Sequence, residues 1–246
     1  MKPFTFSQCL LSGLILAGSL LISQAQAAIV INGTRVIYPA DQKEISVKLN
    51  NNGEAPLLVQ SWIDEGDADS TPDNSRAPFV LTPPIARIDA REGQTLRVHF
   101  TGQKSLPQDK ESIFWLNVLE VPPSTDDGQN KLKIAFRSRV KLFYRPAALK
   151  LDTLQIANKM QWRLVNNAGA WVLDGTNPTP YYLSLSAIKV GSASVQLDLA
   201  NSMFAPGEHK TFPLKGLTDA SGVKEVEFSA INDYGGIQSV TQPLTP

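Results

Sequence analysis

His99 and His209 are the only histidines of the chain, and Cys9 is its only cysteine. That inventory is poor for chemistry. A zinc site needs several thiolates or imidazoles converging on one ion, and two histidines far apart in sequence do not supply them. A Ser–His–Asp triad would have to use one of the two, yet neither is flanked by a G-x-S-x-G elbow. No glycine loop able to cradle a nucleotide phosphate is present. The acidic run Asp64–Asp73 (DEGDADSTPD) lacks the ligand spacing and closing glutamate of a calcium loop and reads as a solvated loop. We therefore expect no enzyme, no metal and no cofactor. Lys plus Arg and Asp plus Glu number 23 each, which argues against nucleic acid as a partner.

The elements that must position any site begin with a leader. Lys2, the apolar run Leu10–Ile22 and Ala25-Gln26-Ala27 have the layout of a cleavable export signal over residues 1–27, with the mature chain starting at Ala28. A short membrane anchor is the alternative, and the A-x-A site and short apolar core argue against it. Cys9 lies within the leader, so the mature chain must hold its fold by packing, without disulfides.

After Ala28 the chain alternates short runs of Val, Ile, Leu, Phe and Tyr with Asn, Gly, Asp and Pro clusters. We read strands at Ile29–Ile31, Glu44–Leu49, Leu57–Ile63, Leu96–Phe100, Ile113–Val121 and Leu132–Tyr144, and no substantial amphipathic helix. Arg145-Pro146 breaks the longest of them. A second series follows at Trp162–Val165, Tyr181–Leu185, Val195–Leu197, His209–Pro213 and Val223–Ile231. The pattern is all-β, two antiparallel sandwiches, each of about seven-stranded length, over residues 28–148 and 149–246. Trp62, Trp115 and Trp162 are expected in their cores.

Leu132–Val140 carries the most information. Leu132, Ile134, Phe136 and Val140 share one face, while Lys131, Lys133, Arg137 and Arg139 share the other. Two readings fit: a half-buried strand with a solvated basic face, or an apolar template for a partner's strand. Periodicity does not separate them.

The flanking residues add a resemblance. Lys141-Leu142-Phe143-Tyr144-Arg145-Pro146 and Leu106–Pro122 (LPQDKESIFWLNVLEVP) are similar to hallmark stretches of the periplasmic chaperones of the chaperone–usher pathway. So are Asn177–Tyr182 (NPTPYY), Ile231–Gly236 (INDYGG), Thr34-Arg35 and Thr82-Pro83-Pro84. What this resemblance implies is a boomerang of two immunoglobulin-like domains in the periplasm. It would bind pilus subunits, tip adhesins among them, by donor-strand complementation and pass them to an outer-membrane usher. Leu132, Ile134 and Phe136 would be the donor residues, and Arg35 with Lys141 would hold the subunit's terminal carboxylate. Glu111, Arg145 and Asp233 would form an ion network between the domains. The short Pro122–Asn130 loop resembles the short-loop subclass, and a second copy of the chain is expected to cap the free apolar edge. Lys141 has the opposite parity to the donor residues, so a twist or bulge is expected between them. The alternative is a secreted immunoglobulin-like binder or a pilus subunit itself, although a subunit should lack a strand and carry a donating extension.

Overall fold

The computed structural model describes residues 28–123 and 134–245. The leader, Leu132, and residues 124–130 of the loop read as short lie outside the described residues.

The first domain contains β1 (Ile29–Ile31), β2 (Arg35–Pro39), β3 (Glu44–Asn51), β4 (Leu57–Asp64), β5 (Phe79–Thr82), β6 (Ile85–Ile88), β7 (Gly93–Phe100), β8 (Ser112–Val121) and β9 (Phe136–Arg145). One sheet runs β1-β3-β7-β5 and the facing sheet runs β2-β9-β8-β4-β6. Alternate residues point inward, as the period of a strand requires. Val47, Leu49, Leu96, Val98, Leu116, Val118, Leu142 and Tyr144 close the core between the sheets. β2 is parallel to β9, with Arg35 opposite Lys141 and Pro39 opposite Arg145; the other pairings in the domain are antiparallel.

A five-residue helix, α1 (Thr153–Ala157), opens the second domain, closed at its start by a capping box between Asp152 and Gln155. There follow β10 (Gln161–Asn167), β11 (Ala170–Thr176), β12 (Leu183–Val190), β13 (Ala193–Ser194), β14 (Met203–Phe204), β15 (His209–Pro213), β16 (Glu225–Ile231) and β17 (Ile237–Pro243). β10-β11-β15 form one sheet, and β13-β12-β16-β17 with β14 form the other. Trp162, Leu173, Leu183, Phe204, Phe212 and Phe228 fill the space between them, so Trp162 is a core residue as expected. Gly175 explains why β11 does not read as a strand: a Cβ there would stand 2.5 Å from the Trp162 ring, so the position must be bare.

Trp62 is buried as expected, at 7% exposed, whereas Trp115 is only half-buried, and neither joins the cluster between the sheets. They sit on the outer face of the β2-β9-β8-β4-β6 sheet, because their parity is opposite to that of the core residues Ile63, Phe114 and Leu116. The arginines of β9 cover them.

Candidate functional site

Of the first-domain candidates, β9 carries Phe136, Lys141 and Arg145; Ile134 lies just before it, Arg35 opens β2 and Glu111 lies just before β8. The pairing of β9 with β8 is unbroken from Phe136–Glu120 to Tyr144–Ser112, without the bulge that the parity of Lys141 suggested. None is needed, because donor and cationic residues face opposite ways. Phe136 continues the inward row of Val140, Leu142 and Tyr144, while Lys141 belongs to the outward row with Arg137, Arg139 and Arg145.

The inward row changes character along the strand. Leu142 and Tyr144 are buried and Val140 is half-buried, but Phe136 is 38% exposed and Ile134 is 51% exposed. The apolar face thus runs out past the end of the sandwich. The same stretch is one-sided in its hydrogen bonding. β2 covers the edge of β9 from Lys141 to Arg145, and among the described residues no strand pairs with Phe136–Val140 on the side away from β8. An apolar face beside a row of unused backbone donors and acceptors is a template for strand addition.

The outward row is not the solvated basic face that periodicity suggested for Arg137 and Arg139. Arg139 lies over the Trp115 ring and donates to both oxygens of the buried Asp64 carboxylate, from Nε at 3.0 Å and Nη2 at 2.5 Å. Arg137 lies over the Trp62 ring and donates twice to Asn117 Oδ1, at 2.9 and 2.7 Å. Asn117 Nδ2 donates in turn to Asp64 at 2.7 Å. Burial raises the Asp64 pKa, but the bonds from Arg139, Asn117 and the Gly66 amide outweigh it and hold the carboxyl below its ordinary range. This lattice ties β9 to β8 and β4 beneath the open edge. Sequence reasoning missed it. The signal was the placement of Trp62, Asp64, Trp115 and Asn117 at outward parity, where solvated residues were expected.

At the first rung of the β2–β9 pairing, Arg35 and Lys141 stand side by side on the outward face. The second domain closes over them: Arg35 Nη1 donates to the Ile231 carbonyl at 2.9 Å, and Lys141 Nζ donates to Ser184 Oγ at 3.2 Å. Neither forms an ion pair with an acid among the described residues, and buried Arg35 Nε has no partner there. Burial, then the neighbouring Arg35 charge, pushes the Lys141 ammonium down to about 8. Burial likewise lowers Arg35, against the attraction of Asp233 and Glu111. Two like charges held together with donors to spare form a site for an anion, and a carboxylate matches it in size and geometry.

At the last rung, Arg145 is treated in the opposite way. It donates from Nε to Glu111 at 2.6 Å, and from Nη1 and Nη2 to Asp233 at 2.7 and 3.0 Å. Glu111 also accepts from the Tyr182 amide at 2.8 Å, and its own amide donates to the Pro180 carbonyl. Local turns aim these partners. Asn177 ties the NPTPYY turn through Tyr181 and Thr179, and Asn232 Oδ1 accepts from the Tyr234 and Gly236 amides around Asp233. Burial opposes the Arg145 charge, yet the two carboxylates outweigh it and raise its pKa. Glu111, Arg145 and Asp233 therefore meet in one network that crosses between the domains.

Residues 28–150 match the family described as pili and flagellar-assembly chaperone, PapD N-terminal domain. Residues 155–242 match the pili assembly chaperone PapD, C-terminal domain. The chain belongs to the family of pilus-assembly chaperones. Among its relatives is the probable fimbrial chaperone YadV of Escherichia coli (strain K12), 44% identical over 218 residues that cover 87% of this chain and 89% of the relative. The crystal structure of the YadV chaperone superposes with a TM-score of 0.74 at 42% identity, covering 89% of this chain and all of that one. The SafB chaperone of Salmonella enterica, solved in complex with the SafA pilin, gives a TM-score of 0.74 at 28% identity, covering 90% of this chain and 99% of that one. The two sandwiches of this pilus-assembly chaperone are the architecture that those structures share.

Proposed function

We propose that this chain works in the periplasm as a chaperone that lends β9 to pilus subunits, tip adhesins included, and then delivers them to an outer-membrane usher. The observation that carries the reading is the position of the Arg35–Lys141 pair at the end of the Phe136–Val140 edge, which no strand covers on the side away from β8 among the described residues. A subunit whose last strand is missing exposes an edge and an apolar groove. Its chain would pair along Phe136–Val140, its groove would take Phe136, Ile134 and Leu132, and its terminal carboxylate would end on Arg35 and Lys141. Each apolar side chain buried contributes about 1.5–3 kcal/mol, whereas the charged contact fixes where pairing starts. SafB, solved with a pilin, sets the precedent for such a complex. In the absence of a subunit, a second copy of the chain would cap the same edge. Glu111, Arg145 and Asp233 would hold the domains at the angle that forms the cleft, and the work would need neither catalysis nor a cofactor.

The test is a periplasmic pull-down from cells expressing a pilus operon. Tagged wild type is compared with folded Arg35→Ala and Lys141→Ala, and bound proteins are identified by mass spectrometry. Pilin-like proteins following the wild type alone support the whole reading. Equal capture by all three removes the anchor, and capture by none removes the chaperone role.

A further inference from the structure

Glu120 is a buried carboxylate for which the subunit-binding reading has no use. It ends the inward row of β8 after Phe114, Leu116 and Val118 and is only 5% exposed. Its Oε2 accepts from the Ala28 amide nitrogen at 3.1 Å and from the Ile29 amide at 3.0 Å. Its Oε1 is buried and has no hydrogen-bond partner among the described residues. Ala28 is itself held in place, since its carbonyl accepts from the Asn52 amide at 2.8 Å and the next residue, Ile29, is buried in the core. Among the described residues this buried carboxylate meets only neutral N–H groups and leaves one oxygen bare, a costly arrangement.

The residue that reaches it is the one that the leader's A-x-A site would make the first of the mature chain. We infer that Glu120 is the docking site for the chain's own α-ammonium, created at Ala28 when the leader is removed. Hydrolysis of the Ala27–Ala28 amide by one water leaves a carboxylate on Ala27 and an ammonium on Ala28. The charge then appears where Oε2 already accepts, and the extra N–H groups supply the bare oxygen. An unprocessed chain has a neutral amide there and offers neither. The contact also has a strategic place. It joins the start of β1 in one sheet to the end of β8 in the other, and Glu120 is the cross-strand neighbour of Phe136. Processing thereby closes the end of the sandwich from which the apolar face of β9 emerges.

Four exported proteins test this: wild type, Glu120→Gln, a Gly-Ser insertion after Ala27, and the two changes combined. The insertion keeps the A-x-A site but moves the ammonium two residues away. Glutamine keeps the shape of Glu120 and an oxygen that can accept from the Ala28 and Ile29 nitrogens, so Glu120→Gln removes the charge alone. Intact mass fixes each N-terminus, and urea unfolding gives each stability. With Ala28 first, Glu120→Gln is expected to raise the unfolding constant about tenfold or more, as befits a hydrogen bond to a charged group. In the inserted chain the same substitution is expected to matter far less. The insertion alone should destabilise too, which reads the contact with Glu120 intact. A mature mass beginning elsewhere than Ala28 overturns the inference. So does an equal effect of Glu120→Gln with and without the insertion.

Discussion

Lys141 and Arg145 point the same way from the same strand, at the first and last rungs of the β2–β9 pairing, and the second domain contacts both. Their surroundings differ completely. Arg145 is given two carboxylates, and every bond it makes is internal. Lys141 is given another cation and a hydroxyl. A charge that the fold satisfies is committed to the fold, whereas one that the fold buries without a counter-charge is left available to a ligand. The contrast teaches that function on this strand is read from what a residue lacks.

The sharpest way to break the comparison is to remove each cation and measure two quantities. Arg145→Ala strands the buried Glu111 carboxylate, so we expect a loss of about 3–5 kcal/mol in stability, the usual cost of breaking a buried pair. Urea unfolding checks it. Arg35→Ala relieves repulsion with Lys141 and should leave stability unchanged or slightly raised. It should instead weaken binding of a purified subunit by about 2–5 kcal/mol, measured by calorimetry. If both variants lose stability equally, the distinction between the two rungs fails.

Phe136→Ala comes next. The side chain lies largely outside the core, so stability should hold while subunit affinity falls by about 1.5–3 kcal/mol. A variant that unfolds more easily would show that the open face is supporting the sandwich after all.

The smallest expected effect is on pH dependence. Lys141 is depressed to about 8 from an ordinary 10.5, so its protonated form is disfavoured in the free folded protein. Stability of the free chaperone should therefore rise as pH climbs from about 8 toward the unfolded value. Binding runs the other way. A carboxylate between Arg35 and Lys141 favours the protonated form, so a proton is taken up and affinity should fall as pH passes about 8, by at most about tenfold per unit. Lys141→Arg should flatten that slope, and an unchanged slope would detach the titration from this site.

Much of this was legible in the sequence, for identifiable reasons. Strands such as Leu57–Ile63 and Ile113–Val121 are long, apolar and bounded by turn residues, and the structure extends them by one residue each, to Asp64 and from Ser112. β2 was not legible: five residues that begin with Arg35 and end in Pro39 resemble a loop, and only the parallel pairing to β9 makes them a strand. β11 hid behind Asp174-Gly175, a turn-like pair that exists because Trp162 presses on the glycine. β17 is mostly polar, and Val195–Leu197, read as a strand, is not one. Motifs pointed to Arg35, Lys141, Glu111, Arg145 and Asp233, but no local pattern could pair Arg139 with Asp64, whose meeting depends on three strands lying side by side.

The edge of β9 also dictates a polarity. β2 takes the Lys141–Arg145 half of that edge and runs parallel to β9. A guest strand that ends its chain at Arg35 and Lys141 and lies along Phe136–Val140 has its C-terminus at the Lys141 end. It must therefore point the same way as β9, nose to tail with β2. Parallel ladders have slanted hydrogen bonds and are slightly less stable per residue than antiparallel ones. If a subunit is held in this way, a strand entering its groove in the opposite sense would pair slightly better at each rung, and that preference would favour its release.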